Sequence, residues 1–113
     1  VSGNTVVVVA SEKLPLSAIT LTEVLATSDL PGGVVNMLTG RAKEIGPWLA
    51  SHQDVNAIDL QGAFDPVELE IMAAETIKRV IRAQSYARVG SQGSLQHILS
   101  LMEVKTVWHP KGH

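Results

Sequence analysis

The sequence predicts an α/β protein built on a parallel sheet. Three observations carry this. Residues 5–10 (TVVVVA) form a short, continuous, β-branched run, the pattern of a strand buried on both faces. Strand-like and helix-like segments then alternate along the chain, which favours parallel pairing through right-handed crossovers. Asp65, Pro66 and Glu68 supply a helix start between two such strands.

The elements follow in order. After TVVVVA comes the polar turn SEKLPLS, in which Pro15 suits a first helical turn. Residues 16–27 place Ala18, Leu21, Val24 and Leu25 on one helical face, with Thr20, Glu23 and Thr27 on the other. Residues 29–33 (DLPGG) end that helix. Residues 34–38 (VVNML) read as a second strand, and 42–52 as a short helix. Pro47 is awkward inside a helix, because it lacks an amide and crowds the preceding turn. The expectation is therefore a helix confined to the second half, with Pro47 in its first turn.

Residues 57–60 (AIDL) read as a third strand. Asp65 then caps a helix, Pro66 takes the first position, and Leu69, Met72, Ala73 and Thr76 follow at helical spacing. Residues 77–83 (IKRVIRA) fit helix or strand by periodicity alone. A loop at 84–93 leads to a helix capped by Ser94, with Leu95, Ile98, Leu99 and Met102 on one face. Residues 104–108 (VKTVW) read as a closing strand.

Composition narrows function. The chain has 113 residues, 45% hydrophobic and 18% charged, which fits one folded domain of about 13 Å radius of gyration. A net charge of -2 gives no basic bias toward nucleic acid or a membrane surface. Cysteine is absent, which removes disulfides, thiolate metal sites and a cysteine nucleophile from these residues. The apolar run at 6–10 is far shorter than the ~20 residues of a membrane-spanning helix. His52, His97, His109 and His113 share no metal-ligand spacing, so no metal is expected. A cytoplasmic location is the expected one. The chain opens on Val1 and runs at once into a strand pattern, as expected of a piece of something larger.

Three stretches resemble a known family. GNTVVVVASEKLPLSA, LPGGVVNMLTG and SHQDVNAIDLQG are similar, in order and spacing, to the cofactor-binding domain of the aldehyde dehydrogenase superfamily. IKRV at 77–80 is similar to the strand entry that follows there, which tips residues 77–83 to strand. SLQHILSLMEVKTVWHP resembles the carboxyl end of these enzymes, where a similar pattern forms an oligomerisation strand. In full-length members a catalytic domain separates the two regions; here only residues 81–94 do. The combination resembles, more narrowly, the degenerate second domain of two-domain, family-16-type members.

The resemblance implies a Rossmann-like cofactor-type domain over 1–83, then a linker, short helix and oligomerisation strand over 84–113, with Val104, Thr106 and Trp108 as interface residues. It implies NAD in the parent family. Of the family's cofactor contacts, Glu12 matches the ribose-binding glutamate, and Gly40, Gly46 and Gly62 match glycines. Glu12 also has a plain reading as a solvated turn residue beside Lys13. The ribose lysine is Val9, the middle glycine of the glycine-spaced turn is Ala42 between Arg41 and Lys43, and the serine after the third strand is Ala63. Arg41 and Lys43 could attract a phosphate or simply be solvated.

The family's cysteine has no counterpart, and its glutamate falls in a stretch that here reads IRAQSYARVG, without a carboxylate. The resemblance therefore implies a non-catalytic fragment or degenerate domain of an NAD-dependent aldehyde dehydrogenase, holding no cofactor, with a structural or oligomerisation role as a homo-oligomer or beside a partner dehydrogenase domain. The alternative is a vestigial NAD-binding module serving an active domain of the same longer protein.

Overall fold

The computed structural model describes residues 3–82 and 95–111. Strand β1 (Val6–Val9) leads into helix α1 (Leu16–Ala26) and strand β2 (Val35–Leu38). Helix α2 (Ala42–Ser51), β3 (Ala57–Asp59), α3 (Pro66–Ala74) and β4 (Arg79–Ile81) follow, and α4 (Leu95–Ser100) comes last. Both strand pairings are parallel: Val6 to Val35 through Val9 to Leu38, and Ala57 to Arg79 through Asp59 to Ile81. The fold is α/β and Rossmann-like in its strand–helix–strand repeats. The strands stand as two pairs among the described residues, β1–β2 and β3–β4, where the alternation predicts one sheet.

The core lies around the second pair. Ala50 of α2, Leu60 after β3 and Leu69 of α3 form a buried cluster, with Ile58, Ala63, Met72 and Val80 packed against it. Leu60 is 2% exposed. Helix α3 starts as its sequence dictates: the Asp65 side chain accepts from the Glu68 amide at 3.2 Å, and Pro66 fills the first helical position. It buries Leu69 and Ala73, one turn apart.

Four expectations are corrected. Helix α2 runs unbroken through Pro47. Packing against α3 fixes the helix despite the lost amide, with Gly46 seated on Leu69. Strand β1 is not buried on both faces: Val6, Val7 and Val8 are 42%, 44% and 37% exposed. Its β-branched run suits a covered strand, but β2 is its one strand neighbour among the described residues. Helix α1 has no buried residue. Its half-buried positions are Ala18, Thr22 and Leu25, while Leu21 and Val24 of the predicted face lie exposed. Finally, residues 104–108 form no strand and are exposed. Alternation makes a segment fit for a strand, but a strand exists only beside an edge that bonds it.

The radius of gyration, 16.5 Å, exceeds that of a compact chain of this length, about 13 Å. The strand read at 77–83 is observed as Arg79–Ile81. The loop at 84–93, the Ser94 cap and the boundary between residues 83 and 84 lie outside the described residues. Among the described residues no helix is long and apolar enough to cross a membrane.

Candidate functional site

In open parallel sheets the ligand crevice lies outside the carboxyl ends of the strands. A cleft of about 360 Å³ occupies that place beside β1 and β2. Ser11, Glu12 and Pro15 approach it from the end of β1, and Thr39, Gly40 and Arg41 from the end of β2. The site thus brings together two of the four residues that the sequence singles out, Glu12 and Gly40.

Glu12 is neither idle nor merely solvated. Its Oε1 accepts from the backbone amide of Ala42 at 2.6 Å. Ala42 is the first residue of α2, whose N-cap Arg41 makes no side-chain cap. A free helix amide attracts negative charge, so a carboxylate from thirty residues upstream completes the helix start. Gly40 has φ +154°, and a Cβ there would stand 2.9 Å from Ile45 Cδ1. The backbone conformation of the turn from β2 into α2 therefore favours glycine, while the Ile45 tip would have to give way to a Cβ.

The other two glycines sit elsewhere. A Cβ on Gly46 would lie 3.2 Å from Leu69 Cδ1, so this glycine serves close packing of α2 on α3. Gly62 has φ +78° in the turn after β3 and does not line the cleft. Val104 and Trp108 are 87% and 88% exposed, and Thr106 is exposed between them.

The cations near the cleft are engaged. Arg41 Nη1 meets Glu44 Oε1 at 3.0 Å, and Lys43 Nζ lies 5.3 Å from the centre of the Phe64 ring. With Glu12 on the α2 amide, the cleft is lined by hydroxyls, a carboxylate and the exposed Arg41. These fit a sugar hydroxyl. Ser11 and Thr39 escaped the sequence reading. Their signal is position, immediately beyond the strand ends.

Among the described residues no group of three or more His, Cys, Asp or Glu could hold a metal ion. The other polar centre is structural. Lys78 is 8% exposed, and its Nζ donates to the His52 carbonyl and to Thr76 Oγ1. His52 ends α2, so the ammonium meets the negative end of that helix.

Comparisons with known proteins identify the family. The model of the aldehyde dehydrogenase family matches residues 1–85. The NADP/NAD-dependent aldehyde dehydrogenase PuuC of Escherichia coli (strain K12) is 44% identical over 62 residues, 55% of this chain and 12% of that protein. The 3-sulfolactaldehyde dehydrogenase of Priestia aryabhattai is 40% identical over 62 residues, 55% of this chain and 13% of that protein. An aldehyde dehydrogenase of Bartonella henselae, known from a crystal structure, superposes with a TM-score of 0.63 at 33% identity, over 69% of this chain and 17% of that one. The chain therefore spans under a fifth of each of these three relatives. With a family match over residues 1–85 and the parallel α/β units in place, the chain belongs to the aldehyde dehydrogenase family.

Proposed function

We propose that these residues serve an NAD(P)-dependent aldehyde dehydrogenase as a non-catalytic, structural domain of the cofactor-binding type. In this reading residues 104–108 join it to another subunit or to a partner dehydrogenase domain. The supporting observation is its open apolar surface. Leu16, Ile19, Leu21 and Val24 of α1 are exposed, as are three valines of β1, and no residue of α1 is fully buried. A helix that is apolar on several sides belongs inside a larger body. The chemistry points the same way. Aldehyde oxidation in the family uses a thiolate nucleophile, and these 113 residues contain no cysteine. Oxidation of aldehydes is then the work of other residues of a longer or partner protein.

Sedimentation of the chain with and without residues 104–113 tests this reading. Loss of self-association on deletion supports it, and an unchanged mass counts against it.

The cleft favours a second reading, a vestigial NAD-binding module serving an active domain of the same longer protein. Glu12 Oε2 would accept from a ribose hydroxyl while Oε1 holds the Ala42 amide. Calorimetric titration with NAD separates the readings. Heat with millimolar or tighter affinity favours the module, and silence favours the structural role.

A further inference from the structure

A second cleft, of about 130 Å³, opens at the amino-terminal ends of β3 and β4. Gln53 and Asn56 reach it from the loop between α2 and β3. Ile77 and Arg79 reach it from the link between α3 and β4 and from the start of β4 itself. Glu103 completes the wall from the segment after α4.

The two charges on this wall are unpaired. The ion pairs among the described residues are Arg41 with Glu44 and Arg82 with Glu70. Arg79 and Glu103 therefore face one cleft without meeting. Arg79 Nε is also buried without a hydrogen-bond partner. A buried donor left unpaired is costly, and in a native structure it calls for a partner. Turning the guanidinium toward the cleft costs Nε no hydrogen bond.

The wall is nonetheless held in place. Asn4 Nδ2 donates to the Leu101 carbonyl at 3.0 Å, which fixes the chain two residues before Glu103. The Arg79 amide donates to the Asn56 carbonyl at 3.0 Å, which keeps these two residues side by side. Ile77 has φ +54°, a strained conformation for a branched side chain. Strain of this kind gathers at ligand sites.

Charge and size together select the ligand. A lone anion in the cleft meets Glu103, and a lone cation meets Arg79. A molecule carrying both charges satisfies both and leaves neither opposed. An apolar cavity of about 150 Å³ holds benzene, which has as many non-hydrogen atoms as alanine. A cleft of about 130 Å³ thus admits glycine or alanine and little more. We propose that this cleft binds a free small α-amino acid, its carboxylate on the Arg79 guanidinium and its ammonium on Glu103. The side-chain amides of Gln53 and Asn56 donate to the remaining carboxylate positions. The site is separate from the Glu12 cleft and depends on neither reading of function above.

Titration of the ¹⁵N-labelled 113-residue chain with glycine and with L-alanine, followed by nuclear magnetic resonance, is the test. The Arg79 Nε–H and Asn56 side-chain signals are expected to shift and saturate, with a Kd of about 1 mM. Acetate and methylammonium, each carrying one of the two charges, bind at least about tenfold more weakly. So does L-leucine, which exceeds the cleft. Arg79→Gln and Glu103→Gln each lower glycine affinity by about tenfold or more. Glu103 lies on an exposed segment, so its variant keeps the core, and unmoved Leu60 and Leu69 amide signals verify this. Absence of a saturable shift with glycine and alanine overturns the site. Acetate binding as tightly as glycine, or glycine binding unchanged in Glu103→Gln, overturns the two-charge recognition.

Discussion

The Glu12 carboxylate holds the backbone amide of Ala42 at 2.6 Å, tying the end of β1 to the start of α2. Where a dinucleotide fold of this design offers a helix amide to a phosphate, this chain has filled the amide from within. The same contact fastens the start of α2.

Replacing Glu12 tests that role. Glu12→Ala removes the only side-chain partner of the first α2 amide among the described residues. The expected cost is about 1 kcal/mol, the usual value of a helix cap. Urea unfolding checks it: the midpoint falls while the slope is unchanged.

Gly46→Ala is expected to destabilise despite alanine's better helix propensity. The new methyl would lie 3.2 Å from Leu69 Cδ1, and Leu69 is itself in the core at 8% exposure. Overpacking of about 1–3 kcal/mol outweighs a propensity gain of about 1 kcal/mol. A double-mutant cycle with Leu69→Val checks this, since the smaller side chain recovers part of the loss.

Lys78→Met keeps the buried stem and deletes the ammonium. The His52 carbonyl and Thr76 hydroxyl each lose a donor. A loss of about 1–3 kcal/mol is expected, read as a lower thermal midpoint.

Glu70 and Arg82 give the acid-side prediction. Arg82 Nε lies 2.9 Å and 3.0 Å from the two Glu70 oxygens, and Nη2 also reaches Oε1. These hydrogen bonds, against the opposing effect of desolvation and with help from the guanidinium charge, hold the Glu70 carboxyl below its ordinary range. A carboxyl lowered in the folded state stabilises at pH above its unfolded value and loses that contribution as pH falls through its folded value. Thermal midpoints of the native chain and Glu70→Gln should therefore differ slightly at neutral pH and converge in acid. Salt should shrink the difference, because the pair is solvated.

Much of the fold was legible. Helix α3 could be placed from Asp65, Pro66 and Glu68, because a cap is a local device encoded within four residues. β1, β2 and β3 follow from apolar, β-branched runs, and those signals are local too. What sequence could not show is non-local. Glu12 meets Ala42 thirty residues away, and no periodicity encodes that contact. The valines of β1 report what the strand is suited for, not what lies over it. Residues 104–108 have the right side chains for a strand, but pairing belongs to the edge and not to the segment. Gly46 stands out in the sequence as a matching glycine, but its reason, close packing on Leu69, lies in another helix.

Helix α1 reaches beyond the fold. Leu16, Ile19, Leu21 and Val24 give it a greasy exterior where most lone domains carry charge. Prepared by itself, the polypeptide should bind hydrophobic dyes in its native state and clump as kosmotropic salt is added. Lysine or glutamate at Leu21 and Val24 should relieve both without loosening the Ala50–Leu60–Leu69 cluster.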